Sequence, residues 1–256
     1  MSRSVGTMVM VLLWPCMVFA SHPLITDDAG TQGKGKSQVE VNGQYDSDTE
    51  TAKGVSVKTT GNEAAIALTY GLIDSIDLAF GIPYQRIKEK DDGVLLSKEQ
   101  GVSDATLDIK WRFFEKNGLS FAVKPGASFP TGDEDKGLGA RKAGYHVFLI
   151  GTREAAPWAF HANLGYTRNE NRFDEEKNLW HASLATTCEI VKNLKLVGNV
   201  GIERNPDKAA VRDPAFLIAG IIYSVAENLD IDFGVKAGLN KSETDYSMLA
   251  GLTYRL

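Results

Sequence analysis

The sequence predicts an all-β fold, specifically a transmembrane antiparallel up-and-down β-barrel of about 12 strands. Three observations predict it. Apolar and polar residues alternate with a period of two along most of the chain after Ser37. Most alternating segments have 10–12 residues, enough for a tilted strand to cross a bilayer, whereas strands of soluble proteins usually have about 5–6. The connections alternate between short turns and long polar loops, as in outer-membrane barrels.

The composition excludes several other classes of protein. The 256 residues are 43% hydrophobic and 24% charged, which is typical of neither a disordered chain nor a coiled coil. The net charge of −5 argues against a nucleic-acid partner held through its phosphates. No apolar run approaches about 18 residues, so the sequence does not predict membrane-spanning helices.

The N-terminus has the features of an export signal. Arg3 precedes an uncharged stretch over residues 8–20, and Val18-Phe19-Ala20 matches the small-x-small cleavage pattern. We therefore expect residues 1–20 to be a signal peptide, 21–36 to be an N-terminal segment, and 37–256 to form the barrel.

Residues 104–114 show the strand pattern most clearly, because polar side chains occupy the even positions from Asp104 to Arg112 and apolar ones the odd positions from Ala105 to Phe113. The segments 141–152 and 214–224 are apolar on both faces, so alternation does not tell their lumen face from their lipid face. The twelve expected strands lie near 37–46, 62–71, 75–86, 103–114, 119–130, 141–152, 158–168, 178–190, 194–204, 214–224, 229–240 and 244–256.

The connections predict the orientation. Long polar loops are expected at 47–61, 87–102, 131–140, 169–177 and 205–213. An even number of strands puts both termini on the side of the short turns, which in outer-membrane barrels is the periplasm. Aromatic residues gather near both ends of the strands, as in the two interfacial belts of such barrels. The expected location is the outer membrane of a Gram-negative bacterium, with lipid and lipopolysaccharide as partners.

The last residues agree with this fold. Gly251, Tyr254 and Leu256 resemble the C-terminal signal that is read by the outer-membrane assembly machinery, although that signal more often ends in Phe.

Several stretches resemble one outer-membrane family, "putative MetA-pathway of phenol degradation", whose members are often called transporters. They are His22-Pro23-Leu24-Ile25-Thr26-Asp27-Asp28-Ala29-Gly30-Thr31, the run 33–36, the hairpin from 68–72 to 81–84, and 124–126 with 130–133. The resemblance implies a barrel linked to the uptake of aromatic or other small organic compounds. It implies no catalytic residues and no cofactor.

The expected function is passive passage of small organic solutes. A barrel of twelve strands lies between those filled by side chains and those with a wide channel. The residues expected to line the pore are Lys110, Arg112, Lys124, Asp232 and Lys236. Their mixed signs argue against strong selectivity for anions or cations. The alternative is a closed structural barrel whose inward charges pair with one another.

Residues 21–36 precede the first strand and are long enough to reach the lumen. We expect them to form a plug or gate; the alternative is a periplasmic tail. The polar residues of this expected plug are Asp27, Asp28, Lys34 and Lys36.

A lipid hydrolase is the enzyme alternative, because His181 and Ser183 have the His-x-Ser spacing of outer-membrane phospholipases. The pair is expected on the inward face, and no third group to orient the base is evident from the sequence. We therefore expect no enzymatic activity. The four histidines are scattered, so the sequence predicts no metal site and no cofactor.

Overall fold

The computed structural model describes residues 22–52, 55–171 and 173–256. The expected signal peptide, residues 1–20, lies outside them. Over the described residues, no helix is long and apolar enough to cross a bilayer. The strands are β1 (Ser37–Ala52), β2 (Val55–Ile73), β3 (Ile76–Asp91), β4 (Val94–Val102), β5 (Ala105–Lys116), β6 (Leu119–Phe129), β7 (Gly144–Ala155), β8 (Trp158–Arg168), β9 (Asn178–Val191), β10 (Leu194–Glu203), β11 (Ala215–Ala226), β12 (Leu229–Gly238) and β13 (Tyr246–Arg255).

These strands form one closed antiparallel barrel. β1 pairs with β13, for example through Val39 and Tyr254, and this pairing closes the sheet into a barrel. β3 pairs with β5 through its first half and with β4 through its second half, so β4 and β5 share one position in the wall. The wall therefore has twelve positions, which confirms the predicted fold class. We call the end that carries residue 256 and the short turns the terminal end, and the opposite end the loop end.

Outward side chains are apolar and inward ones are mostly polar. On β5, Leu107, Ile109 and Trp111 are exposed on the outside, whereas Thr106 and Asp108 are buried inside. An exposed apolar face on nearly every strand is expected of a barrel that lipid surrounds. Outward aromatic residues form one belt near each end: Tyr70, Trp158 and Tyr223 at the terminal end, and Tyr84, Tyr145, Tyr166 and Trp180 at the loop end.

Strand pairing resolves the two segments that are apolar on both faces. On β7, Phe148 and Ile150 point inward and Leu149 outward. On β11, Phe216 and Ile218 point inward. These inward apolar side chains have apolar partners inside the barrel, which the sequence pattern does not reveal.

Two of the expected loops are wrong in extent. Instead of loops at 47–61 and 87–102, β1 and β2 continue as a paired hairpin, and β3 and β4 form a second one. The second turns at Asp92-Gly93, both with positive φ (45° and 85°), the geometry of a tight hairpin turn. Residues 47–51 are all polar, and Val94, Leu95 and Leu96 are three apolar residues in a row, so a regular alternation of hydrophobicity does not mark these extensions.

The connection between β6 and β7 folds over the loop end. Leu138 is 2% exposed, and the Asp104 carboxylate accepts hydrogen bonds from the N–H groups of Gly132 (2.9 Å) and Ala140 (2.8 Å). Ser103 Oγ also donates to the Leu138 carbonyl. Asp104 therefore fixes this loop in place.

Candidate functional site in the barrel lumen

Residues 22–36 lie inside the barrel, nearer its terminal end. Leu24, Thr26, Asp27 and Ala29 are buried there. The segment contacts the inward face of the wall from β12 round to β3, so it lies across the lumen.

Asp27 is the electrostatic centre of this segment. One carboxylate oxygen accepts from Lys110 Nζ at 2.8 Å and the other from Lys124 Nζ at 2.5 Å. The side chains of Asp27 and Lys124 are 2% and 3% exposed, so water scarcely reaches this pair. The amide of Asn163, oriented to satisfy both groups, accepts from the Asp27 N–H at 2.7 Å and donates to its carbonyl at 2.9 Å. Removing one partner of a buried ion pair typically costs about 3–5 kcal/mol.

Neutral polar side chains of the wall satisfy the backbone of the segment. Asn199 Oδ1 accepts from the N–H groups of Ile25 (2.7 Å) and Thr26 (3.0 Å). Thr152 Oγ1 accepts from the Ala29 N–H at 2.9 Å. Buried backbone groups need such partners, so these side chains stabilise the inserted path.

Further polar contacts hold both ends of the segment 22–36 against the barrel wall. His22 Nδ1 lies 2.5 Å from an oxygen of Asp232, and the Gln32 N–H donates to both oxygens of Asp77 (3.0 and 3.2 Å). The Lys34 N–H donates to Asp74 at 3.0 Å. The segment is thus tied to the wall at its start, its middle and its end.

Glycines permit the closest approaches. A Cβ on Gly71 would lie 2.0 Å from the Gly33 carbonyl oxygen, and Gly33 and Gly35 have φ of 87° and 77°. Where the segment passes β12, a Cβ on Gly234 would lie 2.8 Å from Pro23 Cβ. Larger residues here would push the segment from the wall.

Apolar contacts explain the inward apolar residues of β7 and β11. Ala29 packs with Ala122, Phe148 and Ile150. Ile25 packs against the cluster of Phe216, Ile218 and Leu249, and Leu24 against that of Ala185 and Val197. Burial of these groups adds a hydrophobic contribution to insertion.

The segment separates two cavities. The cavity on the loop-end side has a volume of about 240 Å³, and His22, Leu24, Ile25, Phe148 and Lys236 are among the residues that line it. The other, of about 440 Å³, lies toward the terminal end and is lined by charged groups that include Asp27, Lys110 and Lys124.

The five residues expected to line a pore have different surroundings. Lys110 and Lys124 bind Asp27, and Asp232 binds His22. Lys236 pairs with Glu243 at 3.0 Å, with its Nζ 5.9 Å from the centre of the Phe216 ring. Arg112 lies near the terminal end, 3.1 Å from Glu115 and 3.1 Å from the Asp74 carbonyl oxygen.

The four polar residues of the expected plug differ in the same way. Asp27 forms the buried pairs described above. Asp28 Oδ1 accepts from the Gly30 N–H at 2.6 Å, and the Asp28 carbonyl oxygen accepts from Lys110 at 3.1 Å. Lys34 and Lys36 have exposed side chains, and the contacts of Lys36 at the terminal end are made by its backbone, with Gly71 and Gly33.

Sequence reasoning missed the neutral anchors Asn163, Thr152 and Asn199. Each is a single polar residue on an inward strand face, where polar residues are expected in any barrel of this kind. The sequence carries no signal that distinguishes an anchor from a residue that merely faces water.

His181 and Ser183 face the lumen, and the structure corrects one expectation about them. His181 Nε2 lies 2.9 Å from Ser183 Oγ, and its Nδ1 lies 3.2 Å from Glu203, so a third group does face the histidine. Ser183 Oγ also accepts from Thr26 Oγ1 at 2.7 Å and is buried. The backbone beside Ser183 is paired with strands on both sides. The backbone N–H groups beside Ser183 are therefore engaged in the sheet and are not arranged as the backbone donors of an oxyanion hole.

The described residues contain no group of three or more His, Cys, Asp and Glu side chains arranged to hold a metal ion.

A family model described as "Putative MetA-pathway of phenol degradation" matches residues 26–256. No curated protein sequence resembles the chain closely enough to count as a match.

Among solved structures, the COG4313 outer membrane channel from Pseudomonas putida F1 is similar, with a TM-score of 0.71 and 16% identity over 90% of this chain and 98% of that chain. The NanC porin has a TM-score of 0.58 and 8% identity over 85% and 100% of the two chains. The translocator domain of the autotransporter NalP from Neisseria meningitidis has a TM-score of 0.54 and 14% identity over 88% and 89%. At these identities the likeness shows a shared barrel fold.

Proposed function

The chain belongs to the family described as "Putative MetA-pathway of phenol degradation", and from this premise we propose that it is an outer-membrane channel. It passes small organic solutes, aromatic compounds among them, by diffusion without energy coupling. Residues 22–36 act as a plug that closes the lumen at rest.

One observation carries the proposal: the N-terminal segment lies across the lumen and leaves a cavity on each side. A barrel that served only as a scaffold would need no cavities. The ties of the segment are hydrogen bonds, ion pairs and small apolar contacts, all of which are reversible. Its displacement would join the two cavities into one path.

The residues that line the loop-end cavity support the proposal that the solute is a small organic molecule. Leu24, Ile25, Phe148 and Leu249 supply apolar surface, and Arg204 and His181 are among its polar groups. Sites that bind small organic molecules typically combine apolar walls with a few polar groups. An aromatic compound with one polar substituent fits this description.

The outward surface of the barrel supports the proposed location in the outer membrane. Its apolar band lies between two aromatic belts, as in barrels that span the outer membrane. The proposed orientation places the terminal end, with both termini, in the periplasm. Tyr254 and Leu256 are exposed at that end, where the assembly machinery would read them together with Gly251.

The test is single-channel conductance of the purified mature protein in a planar lipid bilayer. The same measurement is made on a variant that lacks residues 22–32 but keeps Gly33 to Lys36, which connect to β1. We expect the full chain to open rarely and the deletion variant to conduct in long, larger steps. A folded deletion variant that never conducts would overturn the channel and favour the closed structural barrel. Equal conductance of both proteins would overturn the plug.

The lipid hydrolase has a separate test. The buried Ser183 is hydrogen-bonded to the plug residue Thr26, so we assign the His181–Ser183 pair to anchoring. Phospholipid hydrolysis by the purified protein that disappears on Ser183→Ala would refute this assignment.

A further inference from the structure

The hairpin extensions at the loop end carry a row of positive charge on their outward face. β2, β3 and β4 continue past Tyr84, and five basic residues lie on the same face of this sheet as Tyr84. They are Lys58, Arg86, Lys88, Lys90 and Lys98. We call this surface the cationic face.

Strand register makes the cluster compact. Lys58 lies directly opposite Lys90, and Lys88 directly opposite Lys98. The strongest electrostatic effects on Lys88 from other side chains come from Arg86, Lys98 and Lys90, which are all cations. Like charges directly opposite one another destabilise paired strands, so the cationic face is unfavourable unless an anion covers it.

The acidic residues of the same hairpins point the other way. The order Arg86-Ile87-Lys88-Glu89-Lys90-Asp91 alternates basic residues with acidic or apolar ones, and a strand sends alternate side chains to opposite faces. Glu89 accepts a hydrogen bond from Ser97, and Glu63 from Gln85, on the inward face. The sheet therefore separates charge between its faces, and its own carboxylates do not lie beside the cations.

The cationic face begins immediately above the loop-end aromatic belt. A strand rises about 3.4 Å per residue and tilts by about 40° in a barrel, so Arg86 and Lys88 lie about 5 and 10 Å beyond the level of Tyr84. Aromatic belts mark the boundary between hydrocarbon and headgroups. These two cations therefore lie at the depth of the headgroups and face the lipid.

We propose that the cationic face binds the phosphate groups of lipid A, the membrane anchor of lipopolysaccharide. Outward direction, depth and unopposed positive charge together match a doubly phosphorylated lipid headgroup. Lysine and arginine donors bind phosphate through charge-assisted hydrogen bonds. The inference rests on the proposed orientation, with the loop end outside the cell, and it does not depend on whether the barrel conducts.

The experiment measures lipid A bound to the full mature protein in detergent micelles, by native mass spectrometry. The variant R86Q/K88Q/K98Q removes three charges from the cationic face. The control K116Q/K192Q/K195Q removes three lysines near the terminal end. Basic residues near an anionic membrane surface each add to the attraction, so we expect the loss of three of them to lower the affinity of the first variant at least about tenfold. The control is expected to bind as the wild type does.

Two further arms of the experiment identify the ligand, and a third checks that the variants are folded. Lipid A stripped of both phosphates should bind to the wild type at least as weakly as intact lipid A binds to the variant, which keeps Lys58 and Lys90. Inorganic phosphate at millimolar concentration should not displace lipid A, because the bound species is a lipid at the barrel surface. Heat-modifiable gel mobility establishes that each variant is folded. Equal binding by wild type and folded variant, equal binding of stripped lipid A, or displacement by free phosphate would overturn the proposal. Conductance tests the channel separately.

Discussion

Substitution of Asp27 by Asn tests whether the central ion pairs hold the proposed plug, residues 22–36, inside the lumen. Asn keeps the size of the side chain but leaves Lys110 and Lys124 without their shared carboxylate. Breaking a buried pair costs about 3–5 kcal/mol; because Asn retains one acceptor and water can enter from the terminal-end cavity, we take about 2–3 kcal/mol. This shifts the insertion equilibrium by about 30- to 140-fold.

The magnitude translates into a measurable change in the fraction of open time. If the inserted state is favoured by about 100 to 1 in the wild type, the variant is displaced about a fifth to three-fifths of the time. Single-channel recording measures this fraction. A second measurement does not depend on conduction. Ala29, which is 0% exposed, is changed to Cys in a protein that also carries Cys188→Ser, and the rate at which a water-soluble maleimide labels the new cysteine is measured. We expect Asp27→Asn to accelerate labelling at position 29.

Two further variants serve as controls for this test of the Asp27 ion pairs. Asp174→Asn is the same chemical change at a solvent-exposed ion pair with Lys208, which contributes little to stability, and should leave opening and labelling unchanged. Adding Lys124→Gln to Asp27→Asn removes one of the two cations that have lost the Asp27 carboxylate and should partly restore closure. A folded Asp27→Asn protein whose opening and labelling both match the wild type would refute the role of the ion pairs.

Three other outcomes follow from the same structure. Gly71→Ala places a Cβ 2.0 Å from the Gly33 carbonyl and should speed proteolysis of the N-terminal segment; Gly43→Ala, whose Cβ would have no neighbour nearer than 3.7 Å, should not. Gly234→Ala should speed maleimide labelling at position 29, since its Cβ would lie 2.8 Å from Pro23. Burial raises the pKa of Glu175 from 4.5 to about 6, so the protonated carboxyl stabilises the conformation of the loop residues 173–177 around it. That stabilisation is complete below about pH 4.5 and lost as the pH rises through about 6. Hydrogen exchange of this loop, corrected for the intrinsic rate, should therefore be faster at pH 7.5 than at pH 5, and Glu175→Gln should remove the difference.

Much of the wall could be predicted from the sequence. Successive wall residues face lipid and lumen alternately, as Leu107 and Asp108 do. Because the first environment favours apolar side chains and the second polar ones, the polarity of the sequence alternates with a period of two. Short turns and aromatic belts then mark the strand ends. The extensions of β1 to β4 were not predicted because hydrophobicity does not alternate regularly there: residues 47–51 are all polar, and Val94, Leu95 and Leu96 are consecutive apolar residues.

The roles of the lumen residues could not be predicted in the same way. Asp27 meets Lys110 and Lys124, which lie 83 and 97 residues further along the chain. Glu203 faces His181 because β9 and β10 pair in one register, and a shift of one residue would turn it outward. Neither the composition nor the spacing of residues in the sequence indicates these long-range contacts.

The sequence alone therefore defines the barrel wall, because each wall residue reports its own local environment, lipid or lumen, and needs no distant partner to be interpreted. The contents of the lumen depend on closure of the sheet, which brings inward side chains from distant strands around one short segment. Whether a polar inward residue faces water, pairs across the lumen or holds residues 22–36 depends on which groups closure places within hydrogen-bond reach, and only the folded barrel specifies those distances.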